Sequence, residues 1–280
     1  MATDSGYRRT RLYTVAHPSH AGTKPLGAPA TVVRSYKASM VDDVELLPRE
    51  DRAAALADAG YNVFELASSD VAVDLLTDSG TGTMSNDQWA AMMQGDEAYA
   101  GSSSFDDLEA AAADVMGFEH IVPAHQGRGA ENVLYGALVD EGDTVLNNAH
   151  FDTTRAHVAA NGADPVDCPV DGARDPDSDD PFKGDFSIEA ARRVVDDVGA
   201  ENVPAVVLTV TNNSMAGQPV SVANTREVAA FADDIDATFV VDACRFAENA
   251  YFVQQREPEF EDDSVADIAR EQLSYADACV

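Results

Sequence analysis

Short apolar runs alternate with longer amphipathic stretches through the second half of the chain. Apolar runs of about four to eight residues are typical of buried strands, and apolar positions three to four apart are typical of helices. The pattern predicts strands at 120–124, 143–147, 205–211 and 238–241. It predicts helices at 129–139, 152–161, 187–199, 222–234 and from about residue 264. This alternation indicates an α/β fold, a mainly parallel sheet flanked by helices.

The N-terminal part of the chain has a less regular pattern. Residues 1–28 are polar and rich in Gly, Pro, Thr and His, which is typical of a mobile arm. Helices are predicted at 48–60, where Gly60 ends the pattern, and at 85–94 and 104–116. A short strand-like run at 70–76 leads into a loop that contains glycines.

Acidic residues dominate the charged positions, because 50 Asp and Glu stand against 18 Lys and Arg and give a formal net charge of −32. Such a surface repels nucleic acid and anionic membranes, so neither is an expected partner. It also destabilises the folded state by self-repulsion unless salt screens the charges. This lysine-poor composition resembles that of proteins from salt-accumulating halophiles. The acidic, proline-rich stretch 171–185 is expected to be a solvated loop.

Cysteine usage and the terminal sequence predict a cytoplasmic protein. Cys168, Cys244 and Cys279 are widely spaced and odd in number, which favours reduced thiols over a disulfide framework. The N-terminal arginines are not followed by the apolar segment of a secretory signal. No stretch approaches the length of a membrane span.

Asp242 and Arg245 follow directly on the apolar run 238–241. Ligands of parallel α/β sheets gather at the carboxyl ends of strands. A carboxylate there can hold a protonated ring nitrogen, and a guanidinium three residues later can hold a neighbouring ring oxygen. This is what pyridoxal phosphate requires, since its pyridinium nitrogen is usually paired with an Asp. The alternative is a strand-end Asp that caps the next helix beside a surface Arg.

Three further positions near predicted strand ends fit an anionic, flat ligand. In HQGRGAEN (125–132), Gly127 and Gly129 allow backbone N–H groups to approach an anion at a helix start, and Arg128 adds charge if it faces the loop. Phe151 could stack on a ring, and Asn213 could donate to a ring oxygen or a carboxylate. The alternatives are a tight glycine turn, a core phenylalanine and a turn asparagine.

A glycine-bearing segment before these positions holds three more candidates. Tyr99 could carry a proton and Glu97 could bind a cation, while Thr77 lies just before the glycines. Each of them could equally be structural, and their conjunction is what favours function.

Five segments resemble a known family: TDSGTGTMSNDQWAAMMQGDEAYAG (77–101), HQGRGAEN (125–132), GQPVS (217–221), RFAENAYF (245–252) and SYADAC (274–279). From about residue 30 onward the chain resembles the tryptophanase and tyrosine phenol-lyase family. These enzymes are pyridoxal 5'-phosphate-dependent β-eliminating lyases of the aspartate aminotransferase fold type. They act on aromatic amino acids, bind a monovalent cation, usually potassium, and assemble as homotetramers of catalytic dimers.

The resemblance implies that seven residues bind the cofactor: Gln126, Gly127 and Arg128 the phosphate, Phe151 the ring face, Asp242 the pyridinium nitrogen, and Asn213 and Arg245 the side of the ring oxygen. It implies further that Thr77 positions the substrate and that Tyr99 transfers protons, reaching the site of a neighbouring subunit. Gly80, through its carbonyl, and Glu97 would belong to the cation site. Residues 29–69 would belong to a small domain, and 70–280 would form the cofactor-binding large domain, incomplete at its C-terminus.

The motifs divide between the two activities. Asp152, directly after the stacking aromatic, and RFAENAYF resemble tryptophanase, whereas MSNDQWAAMM and SYADAC resemble the phenol-lyases, which carry Thr after the aromatic. Asp152 has the most weight, because it would lie near the aromatic ring of the substrate. The resemblance therefore favours tryptophanase, with tyrosine phenol-lyase as the alternative.

The resemblance also implies that the lysine forming the Schiff base with the cofactor would lie beyond Val280, together with a phosphate-binding serine. None of Lys24, Lys37 and Lys183 aligns with it, so this lysine is absent from the chain. Two hypotheses stay open. The 280 residues are part of an active lyase, or the chain is a non-catalytic remnant or a partner of another subunit.

Overall fold

The structure is a computed structural model that describes residues 47–71, 86–96 and 99–280. The described residues divide into two compact units, of which the smaller ends at Ser104 and the larger comprises residues 105–280. Thr77, Gly80 and Glu97 lie outside the described residues, as does nearly all of the strand-like run at 70–76. The roles of these residues and the domain boundaries at 28 and 69 stay predictions.

The described residues form nine α-helices: α1 Arg49–Asp58, α2 Asn86–Gln94, α3 Ser103–Met116, α4 Gly127–Leu138, α5 Asp152–Ala160, α6 Ile188–Val198, α7 Val222–Asp234, α8 Phe246–Arg256 and α9 Val265–Leu273. They also form five strands: β1 Thr144–Asn147, β2 Asp164–Asp167, β3 Ala205–Thr209, β4 Thr238–Asp242 and β5 Ala278–Cys279. Within the same residues, no helix is long and apolar enough to cross a membrane.

All five strands lie in one parallel sheet with the order β2-β1-β3-β4-β5. The predicted fold class, a mainly parallel sheet flanked by helices, is therefore confirmed. The register pairs Asn147 with Asp167 and Thr209 with Asp242, so the carboxyl ends of four strands meet at one edge. This is the edge at which α/β sheets bind ligands.

Both faces of the sheet are covered, because successive side chains of a strand point to opposite faces. Val206 and Leu208 belong to a core cluster that includes Phe231 of α7. Val207 lies in a second cluster that includes Tyr135 of α4 and Val158 of α5. The continuous apolar runs of β3 and β4, which carried the prediction, thus reflect burial from both sides.

Four elements differ from the sequence prediction. Residues 120–124 form no strand, because Pro123 lacks a backbone donor and Val122 is 80% exposed. The edge strand β2 was missed, since its sequence DPVD is polar and contains the proline that an edge strand tolerates. Helix α8 was also missed, although Phe246, Ala250 and Val253 have helical spacing. The two-residue strand β5 carries too short a signal to detect.

Candidate active site

Asp242, the last residue of β4, is buried, with 7% of its surface exposed. Its Oδ1 accepts a hydrogen bond from the Cys244 backbone N–H at 3.3 Å. Burial raises the pKa of Asp242 to about 6, and the negative charge of Glu131 acts in the same direction, whereas the Cys244 hydrogen bonds oppose the rise. Among the described residues, no Lys, Arg or His forms an ion pair with this carboxylate. The charge of this carboxylate is therefore poorly compensated by the described residues.

Two side chains of α4 lie near Asp242. Tyr135 is fully buried, and burial raises the pKa of its phenol, assisted by the charges of Asp242 and Glu131. Its hydroxyl has no hydrogen-bond partner among the described residues. Glu131 accepts hydrogen bonds from Thr153 and Thr154 at the start of α5. The middle of α4, the first turn of α5 and the end of β4 thus converge.

The start of α4 has the features of an anion site. Gln126 is the N-cap in extended conformation, and the N–H groups of Gly127 and Arg128 have no acceptor among the described residues. A Cβ at Gly127 would meet nothing within 4 Å, so the position is open. At Gly129 a Cβ would lie 2.6 Å from the His125 ring, and its N–H already donates to the Gln126 carbonyl at 2.9 Å. Gly129 therefore accommodates His125 rather than an anion.

Phe151 is the half-buried N-cap of α5, and Asp152 is exposed in the first turn. The preceding His150 is anchored twice to Asp167, by its backbone N–H at 2.9 Å and by Nδ1 at 2.8 Å. Arg155 Nη2 holds the other Asp167 oxygen at 2.7 Å. Burial lowers the pKa of His150 although the Asp167 hydrogen bond opposes this, so the imidazole is neutral near pH 7. This network fixes the backbone that presents Phe151.

Asn213 follows β3 and Arg245 follows β4, so both lie after strands that end at the same edge. The Arg245 N–H donates to the Val210 carbonyl at 3.0 Å, and Arg245 is the half-buried N-cap of α8. Asn213 is exposed and begins a short 3-10 turn. Its neighbour Asn212 is buried and donates to the Ala149 carbonyl at 2.9 Å. The loops after β1 and β3 are therefore joined directly.

The structure does not test the remaining candidates. Tyr99 belongs to the smaller unit, where its side chain is fully exposed. Thr77, Gly80 and Glu97 lie outside the described residues. In the part of the chain that is described, no three His, Cys, Asp or Glu side chains come together as metal ligands.

Sequence reasoning did not select Glu131, Tyr135 or His150. A signal existed for His150, which follows a buried strand by three residues. Glu131 and Tyr135 are one helical turn apart in α4, but only the fold shows that this face meets the end of β4.

The comparisons with known proteins agree with this geometry. A family model described as "Beta-eliminating lyase" matches residues 74–280. The chain is 82% identical over 248 residues to a "Probable tryptophanase" of Halobacterium salinarum, covering 89% of this chain and 55% of that protein. It is 48% identical to a "Tryptophanase" of Salinibacter ruber, covering 88% and 52%, and 47% identical to a "Tyrosine phenol-lyase" of Pasteurella multocida, covering 87% and 53%.

The chain spans about half the length of these relatives. The family match itself extends over most of the chain and includes the whole sheet with Asp242 and the starts of α4 and α5. The fold, the edge that gathers these residues and the family match agree, and the chain belongs to the beta-eliminating lyase family.

Proposed function

We propose that the chain forms the pyridoxal 5'-phosphate-binding part of a carbon–carbon lyase that eliminates the side chain of an aromatic amino acid. The observation that carries this proposal is Asp242, a buried carboxylate at the end of a central parallel strand without a cationic partner among the described residues. A buried charge is costly unless it is paired. A pyridinium N–H would supply the positive charge that the described residues do not give Asp242, together with one more hydrogen bond.

The residues at the sheet edge fit the other parts of this cofactor. The exposed N–H groups of Gly127 and Arg128, at the positive end of α4, suit a phosphate, with Gln126 beside them. Phe151, at the start of the neighbouring helix, suits the flat face of the ring. Asn213 and Arg245 are proposed to contact the ring oxygen.

Each residue has a proposed part in the chemistry. The bound cofactor supplies an electron sink for the carbanion that forms at the substrate Cα. Asp242 would keep the ring nitrogen protonated, which would strengthen that sink, and Phe151 would pack on the ring face. Thr77 is proposed to orient the substrate and Tyr99 to carry a proton to the leaving aromatic group.

L-Tryptophan is the proposed substrate, converted with water to indole, pyruvate and ammonia. Asp152 supports this choice, because it follows Phe151 directly and is exposed in the first turn of α5. The 82% identical relative carries the tryptophanase name as well. Tyrosine phenol-lyase is the second candidate, favoured by the 47% identical relative that has this name.

The surroundings of the site are part of the same proposal. Gly80 and Glu97 are proposed to bind potassium, and the complete protein is proposed to act as a cytoplasmic homodimer or homotetramer. Residues 29–69 would contribute to a small domain and residues 70–280 to the cofactor domain.

A product assay tests the proposal. The complete protein, including the Schiff-base lysine that the resemblance implies, is supplied with pyridoxal phosphate and molar potassium chloride and given L-tryptophan or L-tyrosine. Indole and pyruvate in equal amounts from tryptophan are expected. Phenol from tyrosine as the main product would favour the second candidate, and the absence of pyruvate from both substrates would contradict the proposed activity of the complete protein.

A further inference from the structure

Glu131 is a buried carboxylate with only 5% of its surface exposed. Its two oxygens have different partners, since Oε2 accepts from the Thr153 hydroxyl at 2.5 Å and Oε1 accepts from the Thr154 hydroxyl. Both threonines lie in the first turn of α5, directly after Phe151. One side chain of α4 therefore ties the start of the proposed phosphate-binding helix to the segment that carries the proposed stacking residue.

Glu131 also interacts electrostatically with Asp242 through the buried interior. Tyr135, one turn further along α4, interacts electrostatically with both carboxylates. Its phenol carries no positive charge that could neutralise them. No described Lys, Arg or His forms an ion pair with Glu131 or with Asp242. Two negative charges that share one water-poor region disfavour each other, and a cation bound at Asp242 is stabilised by both.

We propose that Glu131 is a positioning residue of the cofactor site, which holds α5 against α4 through two threonine hydroxyls and adds a second negative charge behind Asp242. This inference rests on the proposed function, because the cation is the pyridinium ring of the cofactor. Glu131 does not touch the ring. It acts through Asp242, whose hold on the ring proton it strengthens, and through α5, whose start it fixes.

Two substitutions separate these actions. Glu131→Gln removes the charge, yet its amide can still accept from one threonine hydroxyl and donate to the other. Thr154→Val removes one hydroxyl donor at nearly constant size and leaves the charge of Glu131 in place. Glu248→Gln, at an exposed carboxylate of α8, is the matched control for a loss of charge elsewhere.

Two ligands that differ in the charge of their ring show whether Glu131 acts through its charge or only by holding α5 in place. Pyridoxamine 5'-phosphate has the ring nitrogen but no aldehyde, so its binding requires no Schiff base. Its deaza analogue has carbon in place of the ring nitrogen and carries no ring charge. The dissociation constants of both ligands are measured by isothermal titration calorimetry for each protein, with circular dichroism as the check on folding.

Glu131→Gln is expected to weaken the binding of pyridoxamine phosphate about tenfold and to leave the binding of the analogue unchanged. Thr154→Val is expected to weaken both ligands alike, and Glu248→Gln neither. Equal weakening of both ligands by Glu131→Gln, or no weakening, would overturn the inference. If Glu131→Gln does not fold, Glu131→Asp is used instead. This variant keeps the charge, so the ratio of the two dissociation constants is expected to stay unchanged. A changed ratio would overturn the inference.

The failure of this inference is distinguishable from the failure of the proposed function. If the unaltered protein binds neither ligand, the cofactor proposal and this inference fall together. If it binds pyridoxamine phosphate and the Glu131 variants behave contrary to expectation, only the role of Glu131 is lost.

Discussion

The Asn148 side chain continues the parallel pairing of β1 and β3 by one step beyond the end of β1. Its Oδ1 accepts from the Thr209 backbone N–H at 3.0 Å, and its Nδ2 donates to the Thr209 carbonyl at 3.1 Å. The same amide donates to the Gly184 carbonyl at 2.7 Å. The buried Asn148 amide thus makes the pair of hydrogen bonds that a backbone peptide group would make in the sheet, at the edge where the candidate site lies.

Asn148→Ala is predicted to destabilise the protein by about 2–4 kcal/mol, because it leaves buried backbone groups of Thr209 and Gly184 unpaired. Urea unfolding in molar potassium chloride measures the change. Asn202→Ala is the control, since its amide donates to the Val198 carbonyl at 2.7 Å but is exposed. We expect the control to cost under about 1 kcal/mol. Equal losses in the two variants would contradict this role of Asn148.

Asp185 gives the stability a specific dependence on pH. It accepts hydrogen bonds from Ser221 N–H at 2.7 Å and from Ser221 Oγ at 3.0 Å, beside Glu257, which caps the same helix start. Burial raises the pKa of Asp185 to about 7, with the Ser221 hydrogen bonds opposing and the charges of Asp180 and Glu257 adding to the rise. The folded state therefore holds a proton that the unfolded state releases near pH 4.

Because the folded pKa is raised, the stabilisation from this proton is complete below about pH 4 and is lost as the pH rises towards 7. Asp185→Asn keeps an acceptor for Ser221 N–H and avoids burying a charge. It is predicted to be more stable than the unaltered protein by about 2–4 kcal/mol at pH 8, with a much smaller gain at pH 4. Urea unfolding across this range, with Asp197→Asn on the exposed face of α6 as control, measures the difference. A gain that does not vary with pH would be incompatible with a buried, protonated Asp185.

Asp152→Thr tests the choice between the two substrates. Asp152 is exposed directly after Phe151, at the position where the resemblance places threonine in the phenol-lyases. The variant is predicted to lower the ratio of indole formed from tryptophan to phenol formed from tyrosine by about tenfold, equivalent to about 1.4 kcal/mol of discrimination. Asp140→Thr, at an exposed position after α4, is the control. An unchanged ratio would remove Asp152 from substrate selection.

Salt is predicted to stabilise the fold, since the formal net charge of −32 creates repulsion that counterions screen. A gain of about 2–3 kcal/mol between dilute and molar potassium chloride would raise Tm by about 5–10 °C in a chain of this size. Differential scanning calorimetry measures Tm, and a parallel series in sodium chloride separates general screening from a potassium effect. A Tm that is insensitive to salt, or lowered by it, would contradict the screening argument.

The strongest sequence signals concerned burial on both sides of a sheet. The apolar runs of β3 and β4 and the amphipathic pattern of α7 gave the fold class and placed Asp242 at a strand end. The edge strand β2 escaped notice because its polar sequence carries no such signal. The strand predicted at residues 120–124 was wrong, because a short apolar run in a linker has the same sequence pattern as a buried strand. The exposure of this segment is visible only in the structure.

Some residues of the candidate site could also be predicted from the sequence, and others could not. Asp242, Phe151 and the Gln126–Arg128 turn follow strands or begin helices, so their position at one edge could be inferred from topology. Glu131, Tyr135 and His150 could not be inferred, because their importance depends on distances between elements far apart in sequence. The contact of Glu131 with α5 spans 22 residues, and that of His150 with Asp167 spans 17.

The most direct test of the account is the protonation state of the ring nitrogen in the bound cofactor. Pyridoxamine 5'-phosphate labelled with 15N at that position is bound to the protein near neutral pH, and its chemical shift is compared with that in Asp242→Asn. The ring nitrogen is expected to be protonated in the unaltered protein and to lose that proton in the variant. An unprotonated nitrogen in the unaltered protein, or the same shift in both proteins, would contradict the pairing of Asp242 with a pyridinium ring.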